Sequence, residues 1–285
     1  MRPAIAWRAP ELVAAVAATI LGTAAWLAFS AFGWPGDPHP CVAAGDCYCE
    51  LPRPGAIAQR ANTWSLLPFI FVGLLIGYDL SVRRRTTPRS GSPFVASPLY
   101  GTLYAVSAIA LGFGSIAFHA SLRDWGGAAD ALSMVAWLGL LLCYNVRTLA
   151  RLNDARFAGV YASVLAALVL PRLTLVDDVD AYFGWLILAY LASEVAVSPL
   201  GSRVRLRIQA RPTTRAHSLP RRDHRLFFVA LATFAVSAAI WSMSHADGLL
   251  CDPSSLIQGH AVWHVLNAVV VGILYIHLRS ERDPV

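Results

Sequence analysis

Five residues have side chains that could do chemistry and a spacing that could gather them: Ser115, His119, Asp130, His260 and His264. Ser115 and His119 are four apart, as are His260 and His264, and on a helix residues at i and i+4 share one face. Two histidines at that spacing let one helix offer two imidazoles to a single metal. A third imidazole from a neighbouring helix completes the three-ligand site of hydrolytic zinc, in which the fourth position stays open. All five residues lie in strongly apolar stretches. Polar and ionisable groups inside a membrane are costly and mark function by default.

Taken singly, each residue has a structural explanation. Ser115 could bond back to its own helix carbonyl, and the flanking Gly112 and Gly114 read as close helix packing. Asp130 could be a helix-start residue at the positive end of the dipole. His39, His217, His224 and His277 read as solvated, in loops or at inner helix ends. His245 stands near an outer helix end, and Glu194 near an inner end, within reach of the interface. Asn267, three residues after His264, reads as a core hydrogen-bonding residue. The grouping of five carries the functional reading.

The elements that must position these groups are membrane helices. The chain has 285 residues, 56% of them hydrophobic and 14% charged, with a mean hydropathy of +0.54; a soluble domain carries roughly 25% charged residues. Apolar segments are predicted at 10–33, 61–81, 98–122, 127–147, 156–172, 180–199, 226–246 and 255–278, each near the length of a bilayer span. The fold class expected is therefore an all-α polytopic membrane bundle, with no room for a separate soluble domain. A turn is predicted at Asp124–Gly127, between the third and fourth segments. The first segment, after Arg2 and Arg8, reads as a retained helix rather than a signal peptide, because its apolar core is longer than the usual 7–15 residues.

All 23 basic residues are arginines, which with the alanine richness points to a GC-rich genome and a bacterial plasma membrane. With the amino terminus cytoplasmic, every arginine except Arg53, Arg60, Arg123 and Arg172 falls on the cytoplasmic side, as the positive-inside rule requires. The net charge of +6 thus sets orientation and does not imply nucleic-acid binding. Both termini are expected in the cytoplasm, and all five chemical residues fall in the outer half of the membrane. Cys41, Cys47, Cys49 and Cys251 lie in outer loops, where an oxidising compartment permits disulfides. Cys143 lies alone inside a helix.

At these residues the sequence resembles the alkaline ceramidase family, part of a superfamily of membrane hydrolases that includes the progestin and adipoQ receptors. The likeness rests on Asn62-Thr63-Trp64-Ser65, Gly112-Phe113-Gly114-Ser115 with Phe118-His119-Ala120-Ser121-Leu122, Asp130, and His260 through His264. It implies a seven-helix ceramidase-like domain over 34–285, with residues 1–33 as an additional helix. It also implies zinc on His119, His260 and His264, and Ser115 and Asp130 as catalytic residues cleaving the amide of ceramide or a related N-acyl lipid drawn from the bilayer. Two other classes are open: a receptor or sensor of the adipoQ-receptor kind, with structural zinc, which needs no serine or aspartate beside the metal, and a transporter, for which the sequence shows neither broken helices nor paired repeats.

The same likeness pairs Cys49 with Cys251 and leaves Cys41 to Cys47. It implies a calcium site before the second segment, of which Glu50 fits one ligand position. Cys47, Pro52 and Gln59 stand where other ligands are expected, and Asp46 could join only if the loop shifts by one residue. Calcium needs several charged oxygen ligands, so the site is expected to be weak or absent.

Overall fold

The structure, a computed structural model, describes residues 9–86, 92–174, 179–201 and 219–282, with the side chains of 170–182 outside that description. Among the described residues it is a helical bundle with no strand, only isolated bridges such as Pro38 with Arg123. The long helices are α1 (Pro10–Phe32), α2 (Leu67–Thr86), α3 (Pro98–Ser121), α4 (Asp124–Ala150), α5 (Asp154–Thr174), α6 (Val179–Val197), α7 (His224–Ser242) and α8 (Gly259–Arg279). A short helix, Arg60–Trp64, leads into α2. Among the described residues, and with the span that includes this lead-in, six helices are long and apolar enough to cross a membrane: α1, α2, α3, α4, α7 and α8. Helices α5 and α6 coincide with the other two expected segments, and the fully described part of each is shorter than a span.

Helix α3 is the axis of the bundle. Ser97 caps its first turn by accepting from the Leu99 amide, with Pro98 at the first helical position, where a missing N–H costs nothing. Along its length α3 packs on α1, α2 and α4, while α4 carries α5 and α6, and α8 joins α7 to α2. Tyr104 of α3 is fully buried and donates to the Val271 carbonyl of α8 at 2.8 Å. That bond satisfies a hydroxyl that would be costly unpaired in an apolar core.

Two features place α3 against α4. Leu122 adopts a left-handed backbone (φ 50) and its N–H closes onto Phe118 O at 2.7 Å, ending α3. Helix α4 then starts at once, at Asp124. The turn expected at Asp124–Gly127 is therefore the first turn of α4, and the true break is at Leu122–Arg123. Gly126 belongs to the helix because a Cβ there would meet the Ala117 carbonyl of α3 at 2.8 Å. Gly114 does the same from the α3 side: its Cβ would stand 2.8 Å from the Ala129 carbonyl and from Ser133 Oγ. These glycines let the two backbones approach more closely than side chains would permit.

Helix α1 lies on the outer surface of α2 and α3. Its buried contacts are Ala15, against Gly77, and Glu11, which accepts from Arg84 of α2.

Candidate functional site

His119 lies in the last turn of α3, and His260 and His264 occupy the first turns of α8. All three rings are buried, and the three bring one nitrogen each to within 4.8 Å of one another. His119 Nε2 and His260 Nε2 lie 3.3 Å apart.

The protons on two of these rings can be assigned from their partners. Gln59 is fully buried just before the Arg60–Trp64 helix, and its amide nitrogen donates to the carbonyls of Cys47 (2.5 Å) and Glu50 (3.0 Å). That fixes the orientation of the amide, so Gln59 Oε1 faces His119 Nδ1 at 2.7 Å as an acceptor. His119 must then carry its proton on Nδ1, which leaves Nε2 a bare lone pair. Ser65 works the same way. Its one hydroxyl proton goes to the Asn62 carbonyl at 2.7 Å, so its oxygen accepts from His264 Nδ1 at 2.8 Å. His264 Nε2 is likewise a lone pair. His260 Nδ1 is buried with no hydrogen-bond partner. Its ring is instead stacked on Tyr48, with centroids 3.7 Å apart and planes inclined by 23°.

Lone pairs turned toward a common point deep in protein leave a deficit that a cation removes, so these residues fit a metal ion. Such outer partners of ligating histidines fix tautomer and ring orientation at metal sites.

Ser115 stands one turn below His119 on the same face of α3 and donates to Asp130 Oδ1 across the close α3–α4 contact. Asp130 is the seventh residue of α4, past the turn in which a helix-start role would apply. Ser115, Asp130, His260 and His264 all line one cavity of about 360 Å³. Its other walls are apolar: Leu111 of α3, Met134 and Trp137 of α4, Ile187 of α6, Phe234 and Trp241 of α7, and Val271 of α8. Asn267 also faces this cavity, but its amide donates to Ser237 Oγ (2.8 Å) and to the Trp263 carbonyl (2.9 Å), a core role.

The loops at this end of the bundle close over the site. Disulfides join Cys41 to Cys47 (Cα–Cα 4.9 Å) and Cys49 to Cys251 (Cα–Cα 5.4 Å), within the range the bond requires. Cys143 is free and buried in α4. Glu50 gives both carboxylate oxygens to the amides of Ala61 and Asn62, each at 2.8 Å, and so caps the Arg60–Trp64 helix. Asp46 is exposed. His39 caps the short helix Pro40–Ala44 and packs edge-on against Phe118. His245 is exposed against Trp241.

A second cluster at the opposite end of the bundle corrects the reading of three residues. His277 is fully buried, not solvated, and Glu194 is buried too, not exposed at a helix end. His277 Nε2 lies 3.3 Å from Glu194 Oε2, and its Nδ1 donates to the Asp223 carbonyl at 2.9 Å. Arg222 donates to Glu194 Oε1 at 3.0 Å and to Asn145 Oδ1 at 2.7 Å, and pairs with Glu281 at 3.6 Å. His224, half-buried, completes a trio with Glu194 and His277 whose potential ligand atoms lie within 4.8 Å. Burial and long-range partners, not position along the chain, decide these roles. His217 lies outside the described residues.

Comparison with family models matches residues 53–282 to the ceramidase family. The chain belongs to the ceramidase family. A ceramidase is a hydrolase that acts on the amide bond of ceramide, and the span of the match takes in Ser115, the three histidines, Asp130 and helices α2 to α8, while α1 precedes it. Comparison with curated proteins finds no match.

Proposed function

We propose that this ceramidase is a zinc-dependent intramembrane amidohydrolase of ceramide or a closely related long-chain N-acyl lipid. His119, His260 and His264 would hold the zinc, and Ser115 and Asp130 would be the catalytic residues. The observation that carries this reading is a cluster of three buried imidazoles, two of which line one apolar cavity together with a serine–aspartate pair.

Zinc bound by three imidazoles supplies a Lewis acid and lowers the pKa of water toward about 7. The protein's own groups do the rest. Before substrate arrives, the Ser115 proton is committed to Asp130. A lipid amide carbonyl entering beside Ser115 offers that proton a second acceptor. As the hydroxyl turns to the carbonyl oxygen, it stabilises the charge that develops there, and Asp130 is released to take a proton from the attacking water. Asp130 then returns the proton to the leaving amine, which must be protonated to depart. The apolar walls from α4, α6, α7 and α8 hold the acyl chain and exclude bulk water.

A receptor with structural zinc has no use for the Ser115–Asp130 pair, and that pair favours the hydrolase. With the amino terminus cytoplasmic, the site opens to the outer half of the bilayer, and residues 1–33 add one helix to a core domain over 34–285. A calcium site at Glu50 would be weak or absent, because its carboxylate already accepts from the amides of Ala61 and Asn62, and the nearby Cys47 and Glu50 carbonyls accept from Gln59.

The test is turnover by purified protein of a panel of N-acyl and O-acyl lipids, with zinc removed and restored. Zinc-dependent release of fatty acid from N-acyl lipids is expected. Zinc binding without cleavage of any acyl lipid would move the protein to the receptor class.

A further inference from the structure

Two of the three histidines are oriented by hydrogen bonds, His119 through Gln59 and His264 through Ser65, and the third is not. His260 Nδ1 has no partner, yet the ring is buried. Tyr48 is what lies against it. The tyrosine ring stacks face to face on His260, tilts against His119 at 5.4 Å between centroids, and lines the cavity.

The backbone that delivers this ring is unusual. Tyr48 has φ 64, a left-handed conformation that a bulky residue rarely adopts and that clusters at functional sites. Its amide closes a tight turn onto Asp46 O at 2.7 Å. Cys47 and Cys49, the residues on either side, are each bound in a disulfide. Tyr48 therefore cannot relax toward an ordinary φ without dragging a cross-linked neighbour. The Cys49–Cys251 bond also joins the same two bodies as the stack: the loop that carries Tyr48 and the loop that enters α8 just before His260.

We propose that Tyr48 is the positioning residue for His260, taking the part that Gln59 and Ser65 play for the other two ligands, and that the flanking disulfides hold it in place. This rests on the zinc reading above. Tyr48 acts through the ring of His260 and does no chemistry itself. Loss of its flat face, or of the cross-links, frees His260 to turn away and lets the metal escape. Retention of zinc therefore depends on an oxidised outer loop.

The experiment measures zinc release from the full-length protein to a coloured chelator. Tyr48→Phe keeps the stacked ring and should release zinc within about twofold of wild type. Tyr48→Gly suits the positive φ and removes the ring. It should release zinc about 10–100-fold faster, the usual cost of losing a ligand's outer partner. The zinc-free form of this variant should unfold no earlier than zinc-free wild type, because glycine adopts φ 64 without strain. Tyr48→Leu, which keeps apolar bulk without a flat face, should also release zinc faster and serves if the glycine variant does not fold. A phosphine reductant, which does not chelate zinc as dithiols do, should accelerate release from wild type but not further from Tyr48→Gly.

Release at the wild-type rate from Tyr48→Gly and Tyr48→Leu would overturn the proposal. Early unfolding of zinc-free Tyr48→Gly would make the role merely structural. Equal acceleration by reductant in wild type and Tyr48→Gly would break the link to the disulfides. A wild-type protein that binds no zinc would instead sink the reading on which this rests.

Discussion

The two ends of the bundle, outer and inner in the orientation proposed above, each bury a histidine cluster, and they differ in where the positive charge comes from. At the inner end Glu194 and Glu281 face the guanidinium of Arg222, with His277 and Asn145 completing the set. The chain supplies its own cation there. At the outer end the site holds three imidazoles with no carboxylate or guanidinium among them, and two have their protons directed outward to Gln59 and Ser65. The chain leaves the positive charge to be provided. Both clusters can bring three ligand atoms within 4.8 Å, so proximity does not separate a metal site from an ionic lock; the direction of the protons and the presence of Arg222 do. The outer cluster also opens on a cavity of about 360 Å³, which Ser115 and Asp130 line beside it.

Substitution of matched histidines is the strongest way to break this comparison. His264→Ala should abolish both zinc binding and turnover, whereas His277→Ala at the inner end should leave the zinc content of the folded protein unchanged; metal analysis beside lipid turnover reads both. Next in size, Asp130→Asn should lower kcat by about 10²–10⁴-fold, the range for loss of a general acid–base, with zinc retained. Loss of zinc from that variant would mean that Asp130 belongs to the metal and not to the proton path.

At the inner end Arg222→Met removes the guanidinium that faces two buried carboxylates. Breaking a buried pair in this way costs about 3–5 kcal/mol, so thermal unfolding should fall markedly while the zinc-bound fraction of folded protein is unaffected. The smallest effect belongs to Ser65→Ala, which deletes the acceptor for His264 Nδ1. Zinc affinity should drop about 10–100-fold, measured by competition with a chelator, with little change in the stability of the zinc-free form.

What the sequence made legible was local. His260 and His264, or Ser115 and His119, declare themselves because i,i+4 spacing on a helix is a property of neighbours. The glycines around Ser115 pointed to close packing, and Gly114 does face the α4 backbone. What stayed hidden depends on long-range contact. Ser65 meets His264 across 199 residues and Gln59 meets His119 across 60, separations that no periodicity reveals. Gln59 was visible only as a departure from a pattern, Ser65 only as part of a motif, and Tyr48 not at all, since an aromatic in a cysteine-rich loop has no distinguishing spacing. The inner cluster was misread for the same reason. His277 and Glu194 sit near helix ends, where solvation is the ordinary expectation, and only the return of Arg222 over that end buries them. The turn between α3 and α4 was misplaced because Gly126 and Gly127 read as turn residues, whereas Gly126 serves close approach inside a helix and Leu122 takes the left-handed position.

The central claim is that the outer imidazoles, and not the inner cluster, hold the metal. X-ray absorption at the zinc edge of the purified protein, with metal stoichiometry on the same sample, tests it most directly. The account predicts one zinc per chain with three imidazole nitrogens at about 2.0–2.1 Å, lost in His264→Ala and kept in His277→Ala. A zinc that survives His264→Ala and disappears with His277→Ala, or active protein that contains no zinc, would contradict it.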